Sequence, residues 1–171
     1  MPRYVVFLRG VSPLNAKMPE LKRCFESAGF TNVRTLLGSG NVIFDTTLRS
    51  DSAVERRAEK AMQQSLDQAF YPIARSTKEL QALLEADPFA SHRISRDAKR
   101  VVTFLRTVPK PRVPLPLSED GATVIGVRGR EILTSYLPSP KGPVFMRLIE
   151  KALGKDVTTR TWETVVKCAR A

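Results

Sequence analysis

The chain reads as an α+β protein, with a ferredoxin-like βαββαβ N-terminal half followed by a second, related αβ subdomain with antiparallel strands. Three observations predict this. Residues 4–45 run strand, helix, strand, tight turn, strand with almost no ambiguous residue. A second long amphipathic helix and a fourth strand follow, which completes the split βαβ order. After residue 98 come a strand, a hairpin and two helices, an altered copy of the first half. With 171 residues and 42% hydrophobic composition, the chain can bury a real core.

The first strand, Tyr4 to Arg9, is apolar at every position from Tyr4 to Leu8, the mark of a central strand covered on both faces. Pro19 suits a first helical position, and Leu21, Cys24, Phe25 and Ala28 then recur at helical spacing. Gly29 ends that helix as a left-handed cap. Val33 to Leu37 and Val42 to Asp45 pair as a hairpin across Gly38-Ser39-Gly40-Asn41, residues that tolerate positive φ. Ser52 and Glu55 fit a capping box. The helix they open carries Val54, Ala58, Ala61, Met62, Leu66 and Ala69 on one stripe. Phe70 to Ala74 is the fourth strand, and Pro72 within it places that strand at a sheet edge.

Ser76 and Glu79 form a second capping box, opening a short helix with Leu80, Leu83 and Leu84 inward. Arg100 to Thr107 is a strand. The stretch PKPRVPLPLSEDG, with prolines at 109, 111, 114 and 116, is expected to be an extended loop without regular structure. Thr123 to Arg128 and Glu131 to Leu137 form a hairpin across Gly129-Arg130. Phe145, Leu148, Ile149 and Ala152 mark a helix closed by Gly154. Trp162, Val165, Val166 and Ala169 mark the last one, with Thr158 or Thr159 as its cap. The expected organisation is a βαββαβ subdomain over 1–75, a helix and basic connector over 76–98, and a second αβ subdomain over 99–171 that contains the Pro-rich loop 108–118.

The net charge is +11. The excess is densest between residues 93 and 112, where seven Lys and Arg face Asp97 alone. Such a surface attracts polyanions: nucleic acid, acidic lipid or phosphorylated metabolites. No apolar run approaches the roughly 20 residues that span a bilayer, so no membrane partner is expected. Arg9 interrupts the N-terminal apolar run and no small-residue cleavage site follows, so no secretory leader is expected. Cys24 and Cys168 sit on predicted apolar helix faces and read as reduced packing residues of a cytoplasmic protein.

The search for chemistry finds no assembled set. One histidine, His92, and two distant cysteines supply no local zinc site, and a nucleophilic triad would have to use that same histidine. There is no GxxxxGK[ST] run, and the GSGN turn is followed by a strand rather than a helix. No metal or cofactor is expected. Two turns qualify as anion-binding candidates: Arg9 and Gly10 after the first strand, and Ser39, Gly40 and Asn41 in the hairpin. Glycine, serine and asparagine are also what tight turns need whatever they bind. For nucleic acid, the middle strands of a ferredoxin-like sheet offer Phe7 and Phe44, which read as core. Phosphate contacts from Arg93, Arg96, Lys99, Arg100, Lys110 and Arg112 remain.

The segments VVFLRGV, MPELKRCFESAGFTNVRTLLGSGNVIFD and LGKDVTTRTWETVVK resemble the bacterial family known as domain of unknown function 1697. Its pattern runs LRGINVGG, then K-M-x-x-L, then GF-x-NV-x-T-x-x-x-SGNV-x-F, and ends in TTRNW-x-TV. The resemblance implies a cytosolic αβ protein of about this size and no established activity. It marks Arg9, Gly10, Ser39, Gly40, Asn41, Thr159, Arg160 and Trp162 as family-type positions, which adds Arg160 to the anion-binding candidates. The chain departs from the pattern at Ser12-Pro13-Leu14-Asn15 and at Thr161. Pro13 removes an N–H and stiffens its turn, which weakens that turn as a ligand cradle.

Three functional readings follow. The first is a non-catalytic basic module binding an anionic partner, nucleic acid foremost. The second is an enzyme or sensor for a small phosphorylated or carboxylated metabolite, built on Arg9, Ser39, Asn41 and Arg160. The third is an interaction module working through the Pro-rich loop.

Overall fold

The computed structural model describes residues 1–171. The chain divides into two units: Met1–Ala82 with Val166–Ala171, and Leu83–Val165.

In the first unit, β1 (Arg3–Leu8), α1 (Met18–Ser27), β2 (Thr31–Leu36), β3 (Asn41–Asp45), α2 (Asp51–Ser65) and β4 (Pro72–Ser76) follow one another, and α3 (Thr77–Ala86) leaves β4 directly. The sheet order is β2-β3-β1-β4, antiparallel throughout, which is the ferredoxin-like arrangement. β1 is interior and buried from Tyr4 to Leu8, as its unbroken apolar run demands. β4 is an edge strand, and Pro72 is its first residue, where a missing N–H takes nothing from the ladder. α1 and α2 cover one face of the sheet. Phe25, Phe30 and Phe44 meet there, with Phe30 stacked on Phe44 at 4.0 Å between ring centres. Phe7 and Phe44 are both fully buried, so neither offers a ring to a base.

Two helix starts are worth contrasting. Ser76 and Glu79 form the expected reciprocal box: the Glu79 N–H donates to Ser76 Oγ at 3.1 Å, and the Ser76 N–H to Glu79 Oε2 at 3.4 Å. The box expected at Ser52 and Glu55 does not form. Ser50 caps α2 instead, its Oγ accepting from the Ala53 N–H at 3.2 Å. The helix therefore starts earlier, and Glu55 falls on its inner side. There its Oε2 accepts from the Ala74 N–H at 2.9 Å. An edge strand has a neighbour on one side only, and Glu55 satisfies a donor that β1 does not take.

Asp45, at the end of β3, accepts from Asn32 Nδ2 at 2.7 Å and from Arg3 Nη1 at 2.9 Å. The Asn32 hydrogen bond, followed by the Arg3 guanidinium, outweighs burial and holds the Asp45 carboxyl below its ordinary value. The native state thus binds this proton less readily than the unfolded chain does. The associated stability is complete above the unfolded value of about 3.9 and is lost as pH falls through and below it. Urea midpoints at pH 7 and pH 3 are expected to differ less for Asp45→Asn than for the wild type.

The second unit contains β5 (Lys99–Phe104), β6 (Leu117–Glu119), β7 (Ala122–Arg128), β8 (Glu131–Tyr136), α4 (Val144–Leu153) and β9 (Thr158–Thr161), and α5 (Trp162–Ala169) begins in it. The sheet order is β6-β7-β8-β5-β9, again antiparallel. Val144, Leu148, Ile149 and Ala152 of α4 are buried, the first three in one core cluster with Val124 and Ile132. Phe145 stacks on Tyr136 at 4.0 Å. Apart from β6, this is the first sheet over again, with β5, β7, β8 and β9 in the places of β1, β2, β3 and β4. Residues 105–116 stand where α1 stands in the first unit.

The repetition extends to single residues. The Leu8 N–H donates to Gly40 O in the turn before β3, and the Leu105 N–H donates to Arg130 O in the turn before β8. That equates Phe7 with Phe104 and Val5 with Val102. Opposite Val5 lies Arg75, and opposite Val102 lies Arg160. Both arginines are buried, and each donates from Nη1 to the preceding carbonyl at 2.9 Å, that of Ala74 or of Thr159. The next residue caps a helix in both cases: Ser76 for α3, and Thr161 for α5 through the Thr164 N–H at 3.2 Å.

Two expectations are corrected here. Thr158 and Thr159 do not cap the last helix; they belong to β9, a short polar strand held by the backbone of β5, and Thr161 is the cap. The Pro-rich stretch is not wholly irregular, since Leu117–Glu119 pairs with β7. The division between units falls at 82/83, within the connector expected over 76–98, and residues 166–171 return to the first unit. Ser76 ends β4 and caps α3 at once, so the first turns of α3 stay with their sheet. The C-terminal segment is tied there by Arg3 Nε to Ala171 O and Gln81 Nε2 to Ala169 O, both at 3.1 Å.

Candidate functional site

The two turns of the first unit lie side by side. A Cβ built on Gly40, whose φ is +88°, would stand 2.8 Å from Val11 Cβ, and one on Gly38 would touch Pro13 Cγ at 3.8 Å. Their donors are largely engaged within the turns. The Ser12 N–H goes to Asn15 Oδ1 at 2.9 Å, the Leu14 N–H to Ser12 Oγ at 3.3 Å, and Asn15 Nδ2 to Gly10 O at 2.8 Å. Asn41 is wholly buried, with Nδ2 donating to Leu36 O at 2.8 Å and to Ser39 Oγ at 3.1 Å. The Arg9 N–H goes to Tyr71 O. Gly10, Ser39, Gly40 and Asn41 thus serve to build the turns. Arg160 belongs to the second unit, where it is buried on β9.

A cleft of about 560 Å³ opens in the first unit between α1 and the end of α2, with Lys17, Arg23, Glu20 and Asp67 around it and Cys24 in its wall. Burial pushes the Cys24 thiol up, against an opposing hydrogen bond with Ser65, so it is a poor nucleophile. Cys168 is likewise buried and forms no disulfide. No three His, Cys, Asp or Glu side chains gather to hold a metal ion, and no helix is long and apolar enough to cross a membrane.

The second unit carries the more telling feature. At the Lys99 end of its sheet, a groove of about 790 Å³ is lined by Arg96, Asp97, Lys99, Arg100, Tyr136, Trp162 and Glu163, among others. Strand pairing builds it. Lys99 lies opposite Tyr136 on β8, and Val101 lies opposite Thr161 on β9, which brings Arg100 level with Trp162. Trp162 is the chain's one tryptophan; it is half-buried and meets Phe89 edge-on at 5.4 Å. Arg96 and Lys99 are exposed and Arg100 is half-exposed. None of the three joins an ion pair, whereas Arg3, Lys141 and Arg147 are paired with Asp45, Asp120 and Glu119.

Three of the six basic candidates therefore meet in one groove. Arg93 is exposed in the connector before it. Lys110 and Arg112 follow the other end of β5, which is about 17 Å long. There the Arg112 N–H donates to Ala152 O at 2.8 Å, and its guanidinium lies against Gly154 at the end of α4. A cation suits that helix end. Sequence reasoning missed Tyr136 and assigned Trp162 to an apolar helix stripe. The signal for Trp162 was its standing among the family-type positions of the TTRNW-x-TV pattern.

The chain shares its architecture with a solved structure, that of the conserved bacterial protein SP0830 from Streptococcus pneumoniae. The two are 18% identical, the TM-score is 0.72, and the match covers 99% of this chain and 97% of that one. No curated protein matches. The family model described as "Protein of unknown function (DUF1697)" matches residues 1–132, so the C-terminal TTRTW segment lies beyond the matched part. By that match the chain belongs to the DUF1697 family.

Proposed function

We propose that this protein is a non-catalytic module that binds single-stranded nucleic acid through the groove around Trp162, in the cytoplasm. The observation that carries this reading is the meeting of three unpaired cations, Arg96, Lys99 and Arg100, with the rings of Trp162 and Tyr136 in one groove. Cations track a phosphate backbone and are indifferent to sequence. Aromatic faces accept unstacked bases, which a duplex does not present. The combination favours single strands, and the net charge of +11 adds long-range attraction.

Fluorescence anisotropy with labelled single-stranded and duplex oligonucleotides tests the proposal. Single strands are expected to bind more tightly than duplex. Three phosphate contacts give a log–log salt slope of about −2, so affinity drops roughly twenty-fold between 50 and 200 mM salt. Binding no tighter than that of a charge-matched control protein would remove the proposal.

A further inference from the structure

We infer that the smaller hollow beside Trp162 is a slot for a single guanine base of the bound strand, read by the carboxylate of Asp87. This deepens the groove reading and rests on it. The hollow, about 270 Å³, is lined by Asp87, Phe89, Ala90, Arg100 and Trp162. It shares Arg100 and Trp162 with the larger groove, so a strand lying along Arg96 and Lys99 reaches it with its next nucleotide. At that volume it falls just below the range that holds drug-sized ligands and suits one base.

Its walls bring a ring, a cation and a carboxylate into one small hollow. Trp162 offers a ring for stacking and Arg100 a cation for the adjoining phosphate. Asp87 adds an exposed carboxylate that joins no ion pair. A carboxylate repels a phosphate backbone but accepts hydrogen bonds from a base edge. Guanine alone presents two adjacent donors on its Watson–Crick edge, N1–H and the 2-amino group, matching the two carboxylate oxygens. Adenine and cytosine offer one amino group, and thymine flanks its single N–H with repelling carbonyls. The backbone that carries Asp87 is fixed: its φ is +45°, its N–H donates to Leu84 O, and its carbonyl accepts from the Ala90 N–H, each at 3.1 Å.

The test uses oligothymidylate octamers with one central position changed to guanine, inosine or adenine, titrated into the full chain. Guanine is expected to bind about ten-fold more tightly than thymine, with inosine, which lacks the 2-amino group, in between. Asp87→Asn, which tolerates the same left-handed backbone, is expected to narrow that gap to within about two-fold. Equal affinities that keep their salt dependence would overturn the guanine slot and leave the groove standing. No binding above the control protein would overturn both. Free guanosine monophosphate competing as well as the guanine octamer would overturn the assignment to a strand. The inosine comparison needs no variant, so a poorly folded Asp87→Asn leaves the test decisive.

Discussion

Gly40→Ala is expected to destabilise the protein by about 3 kcal/mol, lowering Tm by roughly 10 °C. Two separate causes add. The backbone at Gly40 has φ +88°, which costs an L-residue about 1–2 kcal/mol. The new Cβ would also stand 2.8 Å from Val11 Cβ, 2.9 Å from Val11 Cγ2 and 3.1 Å from Leu8 Cβ. Neither Val11 nor Leu8 can withdraw easily: Leu8 is buried in β1 and its N–H donates to Gly40 O at 2.8 Å. Overpacking of this kind adds about 1–3 kcal/mol. Gly10→Ala is the control, because Gly10 has a similar φ of +84° but nothing within 4 Å of the added Cβ. It is expected to cost only about 1 kcal/mol. Urea titration of both variants separates the two causes, and equal losses would contradict the packing account. The contrast measures how much of the cost at Gly40 comes from packing against Val11 and Leu8.

The triple variant Arg96→Gln, Lys99→Gln, Arg100→Gln is expected to lose on the order of 100-fold in affinity for a single strand at low salt. Each charged contact contributes about 1 kcal/mol in a groove this open. The salt slope is expected to flatten by about 2. Removing Lys110 and Arg112, which lie past the far end of β5, is expected to change affinity by less than about five-fold although it removes charge as well. Affinity that follows total charge alone, with both sets equivalent per charge, would contradict a localised groove. The three groove cations are exposed or half-exposed, so the triple variant is expected to melt like the wild type.

Local rules made the first unit legible. The apolar run of β1, the Gly-rich hairpin, the Gly29 stop and the Ser76–Glu79 box all depend on residues within a turn of one another. Glu55 was misread because the S-x-x-E pattern at 52–55 competes with Ser50, and only tertiary packing turns Glu55 inward to the Ala74 N–H. β9 escaped notice because Thr-Thr-Arg-Thr is too short and polar to read as a strand; it exists because β5 pairs with it. The internal repeat left one trace, Phe-Leu-Arg at 7–9 and again at 104–106. Its real signature is the matched register that sets Arg75 and Arg160 at equivalent places. The groove was half legible. Charge density picked out Arg96, Lys99 and Arg100, which are close in sequence. Trp162, Tyr136 and Asp87 join them only through antiparallel pairing and a helix end, and no spacing rule reaches that far.

Because Trp162 is the lone indole, its intrinsic emission reports on the groove without any label. Titrating an unlabelled oligothymidylate into the protein at low salt should quench and saturate that emission, and raising the salt should restore it. If the strand binds by anisotropy while the indole signal stays flat, contact is being made elsewhere and the groove is not the binding surface.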